Sequence, residues 1–303
     1  MAKKIKSVKK FSAHYKSFNF ASPDLVGDNE YLETEILQDE NGNIVQEIKY
    51  ANDGTVEDRS AFKYDANGKL LEHILHYEVD DVTEKRILKR DASGNLLEEQ
   101  KFYGDDSGEK TEYFYDDKAN VIERKQYDEE GVFQSRETFS YDENASITEH
   151  CKYGGDGKMT DRSTFFNNQS EHFIEEHDYD ENGKLISKTI IRFDDKGKEL
   201  SSSQTSAEGK LITSVENVFD ENGNVIEKRY KDFYSKILRY AYDEKNREVS
   251  NELLDGNGIL LRKNVFEYDE EDNILSQQFY EMDTTRGGRD THKGSRYEYG
   301  YYE

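Results

Sequence analysis

The sequence contains few of the residues from which a compact hydrophobic core is built. Among its 303 residues, 33% are Ala, Val, Ile, Leu, Met, Phe, Trp, Tyr or Cys, with no Trp and a single Pro. Ordinary globular domains are about 45–50% apolar by a comparable count. A compact domain of this length buries about three quarters of its chain surface. We therefore expect either extensive disorder or an architecture that needs little core per residue.

Other absences exclude whole classes of protein. No apolar run of about 18 residues occurs, so no membrane span is predicted. The single cysteine, Cys151, excludes an internal disulfide and a cysteine-based metal cluster. The first residues are basic and lack the apolar segment of a secretory signal. We therefore expect a cytoplasmic location, with export by a non-Sec route as the alternative.

Basic residues are in the minority, with 42 Lys and Arg against 66 Asp and Glu, and the net charge is -24. Nucleic-acid binding requires a basic face, so nucleic acid is not an expected partner. Two segments are exceptions to the acidic character. Residues 1–20 contain six lysines and no acidic residue, and residues 286–296 contain four basic residues against Asp290.

A repeated turn signal dominates the sequence. The early copies begin at Asp39, Asp65, Asp91, Asp116 and Asp142, with spacings of 26, 26, 25 and 26 residues. Later copies begin at Asp180, Asp194, Asp220, Asp243 and Asp269. A looser turn signal lies half-way between many copies, and an aromatic residue usually precedes each turn. The unit is therefore a half-repeat of about 13 residues, and two half-repeats form a hairpin.

The Asp-x-Asn-Gly pattern has a specific turn chemistry. Asp at the first position of a type I turn accepts backbone hydrogen bonds, and Gly at the fourth position adopts the left-handed conformation of a bulged hairpin. Asn246 can replace that glycine, whereas Ala119 and Ala145 fit it poorly. At Ala119 we expect Asn120 to take the left-handed position instead, with a shift of one residue.

Each turn is followed by 6–8 residues with alternating polarity, as in 43–50 and 224–230, which indicates a strand. The predicted fold is all-β, with about 20 antiparallel strands in tandem hairpins that form a winding or curling, extended sheet. We expect an aromatic and aliphatic inner face, a Lys- and Glu-rich outer face, and cross-strand pairs that replace part of the core. The predicted organisation is a basic N-terminal arm or cap over 1–30 and one repeat domain over 31–303.

The segment 238–247, which reads Leu-Arg-Tyr-Ala-Tyr-Asp-Glu-Lys-Asn-Arg, resembles the unit of the Rhs/YD-repeat family. Similar stretches occur at 62–71, 114–116, 139–142 and 266–269, so the resemblance covers roughly residues 36–302. It implies β-hairpins that wind into a shell or strip, often around a toxin or facing a cell surface. The 26-residue hairpin is longer than the usual unit of the family. Because Pro23 is the only proline, we expect no self-cleavage motif, and we expect no toxin domain after residue 303.

Several polar features have both a functional and a structural interpretation. Rows of turn aspartates suggest Ca²⁺, but like turns lie about 9–10 Å apart, so turn capping explains them without metal. The aromatic ladder suggests a platform for sugars or peptides, with structural packing as the favoured alternative. His150 and Cys151 point to opposite faces of a strand, and so do His172 and His177. We therefore predict that these residues form neither a metal site nor a catalytic site. We also predict no cofactor and no catalytic residue elsewhere.

The candidate binding residues lie in the second basic segment. Arg286, Arg289, Lys293 and Arg296 are predicted to form a basic hairpin loop before a last strand over 297–302, and the alternative is an ordinary mobile loop. The basic arm binds an acidic partner or folds across its own acidic sheet, and the structural alternatives are a solvated tail or a capping segment.

These observations favour a non-enzymatic β-repeat scaffold that binds another protein. The resemblance adds a bacterial toxin or secretion system as its setting. The alternative is a carbohydrate- or cell-surface-binding module that uses exposed aromatic residues. A contiguous exposed aromatic strip would favour this alternative.

Overall fold

The computed structural model describes residues 3–15, 30–104, 108–282 and 290–303. These residues contain 22 β-strands and no helix, and every described strand pairing is antiparallel. The prediction of an all-β fold with about 20 antiparallel strands is therefore confirmed. Because no helix occurs in these ranges, they contain none that is long and apolar enough to cross a membrane.

The strands are short and follow one another closely along the chain. They are β1 (Ile5–Tyr15), β2 (Tyr31–Gln38), β3 (Ile44–Tyr50), β4 (Val56–Tyr64), β5 (Leu70–Tyr77), β6 (Val82–Arg90), β7 (Leu96–Phe102), β8 (Gly108–Tyr115), β9 (Val121–Tyr127), β10 (Phe133–Tyr141), β11 (Ile147–Gly154), β12 (Met159–Asn168), β13 (Phe173–Asp180), β14 (Leu185–Phe193), β15 (Glu199–Ser206), β16 (Leu211–Phe219), β17 (Val225–Lys231), β18 (Lys236–Tyr242), β19 (Glu248–Asp255), β20 (Leu260–Tyr268), β21 (Ile274–Glu281) and β22 (Thr291–Tyr301).

The chain forms two compact units. Unit 1 comprises Met1–Thr83, Val218–Lys228 and Tyr234–Glu303, and unit 2 comprises Glu84–Asn217 and Arg229–Phe233. The assignment of residues 31–303 to one repeat domain stays a prediction.

In unit 1 the first strand of the chain is inserted between two strands that are distant in sequence. The hydrogen-bonded order is β18-β19-β20-β21-β22-β1-β2-β3-β4-β5. β1 pairs with β22 on one side and with β2 on the other. The basic N-terminal segment is thus part of the sheet over residues 5–15, and residues 1–2 and 16–29 of the predicted arm lie outside the described residues.

In unit 2 the strands from β6 to β16 pair in sequence order. Because successive strands are antiparallel, the turns at Asp91, Asp116, Asp142 and Asp194 lie at one end of the strands. The turn at Asp180 lies at the opposite end, together with that at Asp128. By its four residues, Asp180 has the same strong turn signal as Asp91, Asp116, Asp142 and Asp194. The sequence signal therefore does not reveal that its turn lies at the other end of the strands.

All ten predicted Asp turns are present, and each has a hydrogen bond from the backbone N–H of its fourth residue to the carbonyl of its first. In the turn at Asp39, carboxylate Oδ1 accepts the backbone N–H groups of Asn41 (2.8 Å) and Asn43 (2.9 Å). The side-chain amide of Asn43 donates to Oδ2 at 2.9 Å. These hydrogen bonds, first that from the Asn43 side chain, hold the pKa of Asp39 below its usual value.

The expected shift at Ala119 is wrong. Ala119 itself occupies the left-handed position with φ of 63°, and Ala145 does so with φ of 60°. Asn120 instead donates its backbone N–H and its side-chain amide to Asp116, both at 2.9 Å. These two hydrogen bonds fix the register of the turn and force the alanine into a conformation that suits glycine.

The tyrosine that precedes many turns forms a recurrent hydrogen bond. The hydroxyl of Tyr64, at the end of β4, donates to the carbonyl of Ile44 at the start of β3 (2.8 Å), and that of Tyr141 donates to Val121 (2.7 Å). The same contact joins Tyr115 to Leu96, Tyr242 to Val225 and Tyr268 to Glu248. These aromatic residues therefore tie neighbouring strands together, which is the structural role favoured for the aromatic ladder.

Cross-strand pairs replace most of the core. The apolar residues that are buried in the described part of the chain are few: Ala13, Leu88, Cys151, Leu254 and Tyr280. Ion pairs such as Lys63–Glu72 (2.8 Å) and Arg86–Glu99 (2.6 Å) join adjacent strands, and Phe139 stacks on His150 at 4.6 Å. Each such pair contributes about 0.2–1 kcal/mol.

The expected separation into an apolar inner face and a charged outer face is wrong. In unit 2, Glu137, Phe139 and His150 share one face, while Arg136 and Tyr153 share the other and stack at 4.2 Å. Both faces thus mix charged and aromatic side chains. Because most side chains remain partly exposed to solvent, neither face can be purely apolar.

Replacing Ala119 or Ala145 with glycine is expected to raise the free energy of unfolding by about 1 kcal/mol. The left-handed conformation costs an L-residue about 1–2 kcal/mol, and the greater flexibility of unfolded glycine offsets part of the gain. Urea denaturation measures the change. Ala61→Gly in β4, where φ is not positive, is the control and is expected to lower stability. A loss of stability in all three variants would contradict the prediction.

Replacing Tyr64 or Tyr141 with phenylalanine is expected to lower the free energy of unfolding by about 1 kcal/mol, because each change leaves a strand-end carbonyl without its donor. The matched control is Tyr77→Phe, since the Tyr77 hydroxyl has no hydrogen-bond partner among the described residues. Denaturant titrations of the three variants provide the comparison. If Tyr77→Phe were as destabilising as the other two changes, the hydroxyl bonds would not be the cause.

Candidate functional site

The predicted basic residues do not form one loop. Lys293 and Arg296 lie within β22, which begins at Thr291, six residues before the predicted last strand. Arg286 and Arg289 lie outside the described residues. The basic segment is therefore a strand from residue 291 onward, because β1 and β21 pair with it on both sides.

Lys293 and Arg296 also face different ways, since they are three residues apart in a regularly paired strand. Arg296 forms ion pairs with Glu30 (3.0 Å) and Glu298 (2.5 Å), and its guanidinium lies 4.3 Å from the ring of Phe11. The hydrogen bond that the Arg296 guanidinium donates to Glu30 is the main cause of the raised pKa of Arg296. Arg296 is thus committed to contacts within the sheet, whereas Lys293 is exposed.

Lys293 lines an open cavity in unit 1. The cavity has a volume of about 330 Å³ and lies over β21, β22, β1 and β2. Its wall includes Lys10, Ser12, Tyr31, Glu33, Phe279 and Lys293. Charged, hydroxyl and aromatic groups from both ends of the chain therefore converge on one space.

Glu33 is the centre of the hydrogen bonds in this cavity. Its Oε2 atom accepts a hydrogen bond from the Ser12 hydroxyl at 2.6 Å and lies 2.5 Å from Lys10 Nζ. A β-bulge places Glu33 as an extra residue on β2, because Lys10 pairs with Thr34 and the next residue of β1 pairs with Leu32. The bulge brings the Glu33 carboxylate to the β1 side chains.

The electrostatics of the cavity favour an ionised Glu33. Burial raises the pKa of this carboxyl, but hydrogen bonds from Lys10 and Ser12 and the charges of Lys10 and Lys293 outweigh burial, so the pKa lies below its ordinary value. A carboxylate with a lowered pKa is a weak general base at neutral pH. The cluster is therefore better suited to holding a ligand by charge and hydrogen bonds than to abstracting a proton.

A second open cavity adjoins the first. Its volume is about 440 Å³, and it shares Lys10, Tyr31 and Glu33 with its neighbour. Its other lining residues come from β2, β3 and the turn and strand that follow, and they include Lys49, Tyr50, Asn52 and Glu57. Burial, then the charges of Glu33 and Glu57, raise the pKa of Tyr31, so its phenol is neutral at physiological pH. We call the two cavities together the groove.

An acidic pair in unit 2 was not anticipated from the sequence. Asp178 accepts hydrogen bonds from the hydroxyls of Ser163 and Ser187, both at 2.7 Å. Burial first, and then the charge of Asp178 and a hydrogen bond with it, raise the pKa of Glu176. The available signal was the spacing of Glu176 and Asp178, which are two residues apart and hence on one face of β13.

The histidines form local contacts. His150 lies 3.0 Å from Glu137, and His177 lies 2.6 Å from Glu175. Cys151, the residue after His150, is buried. Within the described ranges, no group of three or more His, Cys, Asp or Glu side chains is placed to hold a metal ion.

Exposed aliphatic side chains form a row at one end of the unit 2 strands. The hairpin register gives several strands one extra residue, the sixth after the first Asp of the turn, and three of these extra residues are Leu97, Ile122 and Leu200. Together with Ile147 they are 38–43% exposed. We call these four residues the aliphatic row. They lie on β7, β9, β11 and β15, which start at the same end of the unit.

Exposed aromatic side chains are more scattered. Among the described residues, those with large exposure are Phe114, Phe166, Phe233 and Tyr234. Phe114 lies on β8 and Phe166 on β12, about 19 Å apart at the usual strand spacing. They form no contiguous strip of the kind that a carbohydrate platform requires.

Comparisons with known proteins find similar structures but no family. No protein-family model matches the chain, and no curated protein matches it. The crystal structure of TcdB2-TccC3-Cdc42 is similar over 82% of this chain at 14% identity and a TM-score of 0.24, and the match spans only 17% of that chain.

Two porin-like proteins are also similar. The protein from Bacteroides uniformis matches at 10% identity with a TM-score of 0.32, covering 98% of this chain and 96% of its own. The protein from Bacteroides vulgatus matches at 8% identity with a TM-score of 0.29, covering 88% and 99%. Similarities at this level assign neither a family nor a function.

Acidification is expected to loosen β1 through Glu33. Because the folded pKa of Glu33 is lowered, its contact with Lys10 stabilises β1 fully above the ordinary value of 4.5, and this contribution is lost as the pH falls through the lowered value. Hydrogen-exchange protection of the β1 amides is the measurement. Wild type should be better protected than Glu33→Gln at pH 7, and the difference should shrink steadily as the pH is lowered below 4.5. A difference that is independent of pH would contradict this assignment.

Proposed function

We propose that this chain is a non-enzymatic β-repeat scaffold that binds another protein, and that the aliphatic row of unit 2 is the contact surface. The observation that carries the proposal is the recurrence of large, exposed aliphatic side chains at one position of the hairpin, in Leu97, Ile122 and Leu200, with Ile147 one residue before that position. Exposed apolar side chains that recur along one end of a sheet are candidates for contact with a partner.

The dimensions of the row favour a macromolecular partner. From β7 to β15 there are eight strand intervals, which correspond to about 38 Å at the usual spacing of 4.8 Å. A small ligand covers only a fraction of this length, whereas a protein surface or an extended segment covers all of it.

The charge of the chain indicates the character of the partner. A net charge of -24 attracts basic surfaces and repels acidic ones, and this selects partners mainly through the rate of association. We expect a partner with an apolar stripe flanked by Lys or Arg. The resemblance to YD-repeat units points to a bacterial toxin or secretion system as the setting in which to search for it.

A binding role also agrees with the polar clusters. The Ser12 hydroxyl donates to a carboxylate that two lysines keep ionised, so Glu33 is a poor base for activating that hydroxyl. The serines beside Asp178 donate in the same way.

The test is capture of a partner by the immobilised full-length chain from a native bacterial lysate, with mass spectrometry as the readout. The double variant Leu97→Lys/Ile122→Lys is expected to lose the captured protein, because it places two charges in the apolar contact. Leu275→Lys is the matched control, since Leu275 occupies the same bulge position in unit 1 and is 42% exposed. The control should retain the partner.

A glycan array run in parallel separates the alternative function. Specific binding of one glycan together with no captured protein would overturn the proposal in favour of a carbohydrate-binding module. Equal capture by wild type and the double variant would remove the aliphatic row from the proposal.

A further inference from the structure

We propose that the groove of unit 1 binds an extended peptide segment that carries a carboxylate at one end and a cationic side chain about five residues away. This inference rests on the proposed protein-binding function but uses a different surface from the aliphatic row. It assigns Lys293 to the carboxylate and Glu57 to the cation.

The two ends of the groove carry charges of opposite sign, each outside any ion pair of the described residues. Lys293 at the β22 end is exposed and forms no ion pair among the described residues, although its charge helps to lower the pKa of Glu33. Glu57 at the β4 end is likewise exposed and has no cation within that distance in the described part of the chain. Lys49, which lies beside Glu57 in the groove, is 4.0 Å from Asp58, so its charge is already partly balanced.

The middle of the groove is electrically balanced and partly aromatic. Lys10 and Glu33 neutralise each other through their contact at 2.5 Å. Ser12 and Lys10 both contact Oε2 of Glu33, which leaves Oε1 to accept a hydrogen bond from a ligand. Tyr31 and Phe279 contribute aromatic surface for an apolar side chain of the ligand.

The length of the groove sets the length of the peptide. The strands β22, β1, β2, β3 and β4 are adjacent, so the charged ends are separated by four strand intervals, or about 19 Å, across the sheet. The register also offsets Lys293 from Glu57 by about three residues, or roughly 10 Å, along the strands, which gives a total of about 22 Å. An extended chain spans about 3.3–3.6 Å per residue, so about six residues, together with the reach of the terminal side chains, extend from one end to the other. A free anion fits less well, because the net charge of -24 repels it.

The experiment uses the full-length chain and a capped fluorescent hexapeptide with Lys at its first position, Asp at its last and Ser, Tyr, Ser and Leu between them. Fluorescence polarisation gives the dissociation constant. A peptide with Gln and Asn at the two ends is the neutral probe and is expected to bind at least tenfold more weakly.

Variants test the two assignments separately. Lys293→Glu and Glu57→Lys are each expected to weaken binding about tenfold, and the double variant is expected to restore it, because the reversed groove accepts the same peptide in the opposite orientation. Lys184→Glu, an exposed change in a turn of unit 2, is the matched control and should have no effect. Circular dichroism verifies that each variant is folded.

Equal binding of the charged and neutral probes, or failure of the double variant to restore binding, would overturn the inference. Binding of a neutral oligosaccharide that competes with the peptide and ignores both charge reversals would assign the groove to a sugar instead. Neither result affects capture of a protein through the aliphatic row, and loss of that capture leaves peptide binding in the groove unchanged. The failures of the two proposals are therefore distinguishable.

Discussion

The fold depends on the hydrogen bonds that a turn aspartate accepts from the backbone. In the turn at Asp91, as in that at Asp39, one carboxylate oxygen accepts two backbone N–H groups, and the following Asn side chain reaches the other oxygen. Such a turn closes within five residues and requires no buried side chain. At turns such as that at Asp65, the tyrosine before the aspartate then ties the strand to its neighbour. Because both contacts are local, each hairpin depends mainly on adjacent strands, and a sparse core suffices.

The sparse core also explains how charge is distributed along the chain. Since few side chains are buried, both faces of each unit are partly exposed to solvent. Ion pairs such as Lys89–Glu98 and Lys263–Glu252 join adjacent strands. Exposed pairs are individually weak, and a sheet of this kind needs many of them. The excess of acid falls largely in the turns, where carboxylates are needed as acceptors. Basic side chains are then needed on the strands, which is where β1 supplies Lys9 and Lys10.

Sequence reasoning was sufficient wherever the structure is determined locally. The ten Asp turns, the strands between them and the all-β class follow from a few neighbouring residues. Local chemistry also corrects the pattern at Ala119, because the hydrogen bonds of Asn120 outweigh the preference for glycine. Reasoning failed where distant pairing decides. Residues 291–296 are a strand because β1 and β21 pair with them on both sides. The residues of this segment contain no local sequence pattern that predicts this pairing.

The groove arises where the repeat is interrupted. Strands β22, β1 and β2 are adjacent without the short turns that join the other hairpins, and their register contains the bulge that places Glu33 beside Lys10 and Ser12. The hydroxyls of Ser12 and Ser295 lie 3.3 Å apart although 283 residues separate them. In the regular part of the repeat, equivalent residues of successive hairpins lie beside each other, and many charged side chains form cross-strand ion pairs. At an interruption the pattern of neighbours changes, and a charge such as that of Lys293 stays available. The groove therefore lies where the regularity of the repeat fails, whereas the aliphatic row arises from the repeat itself.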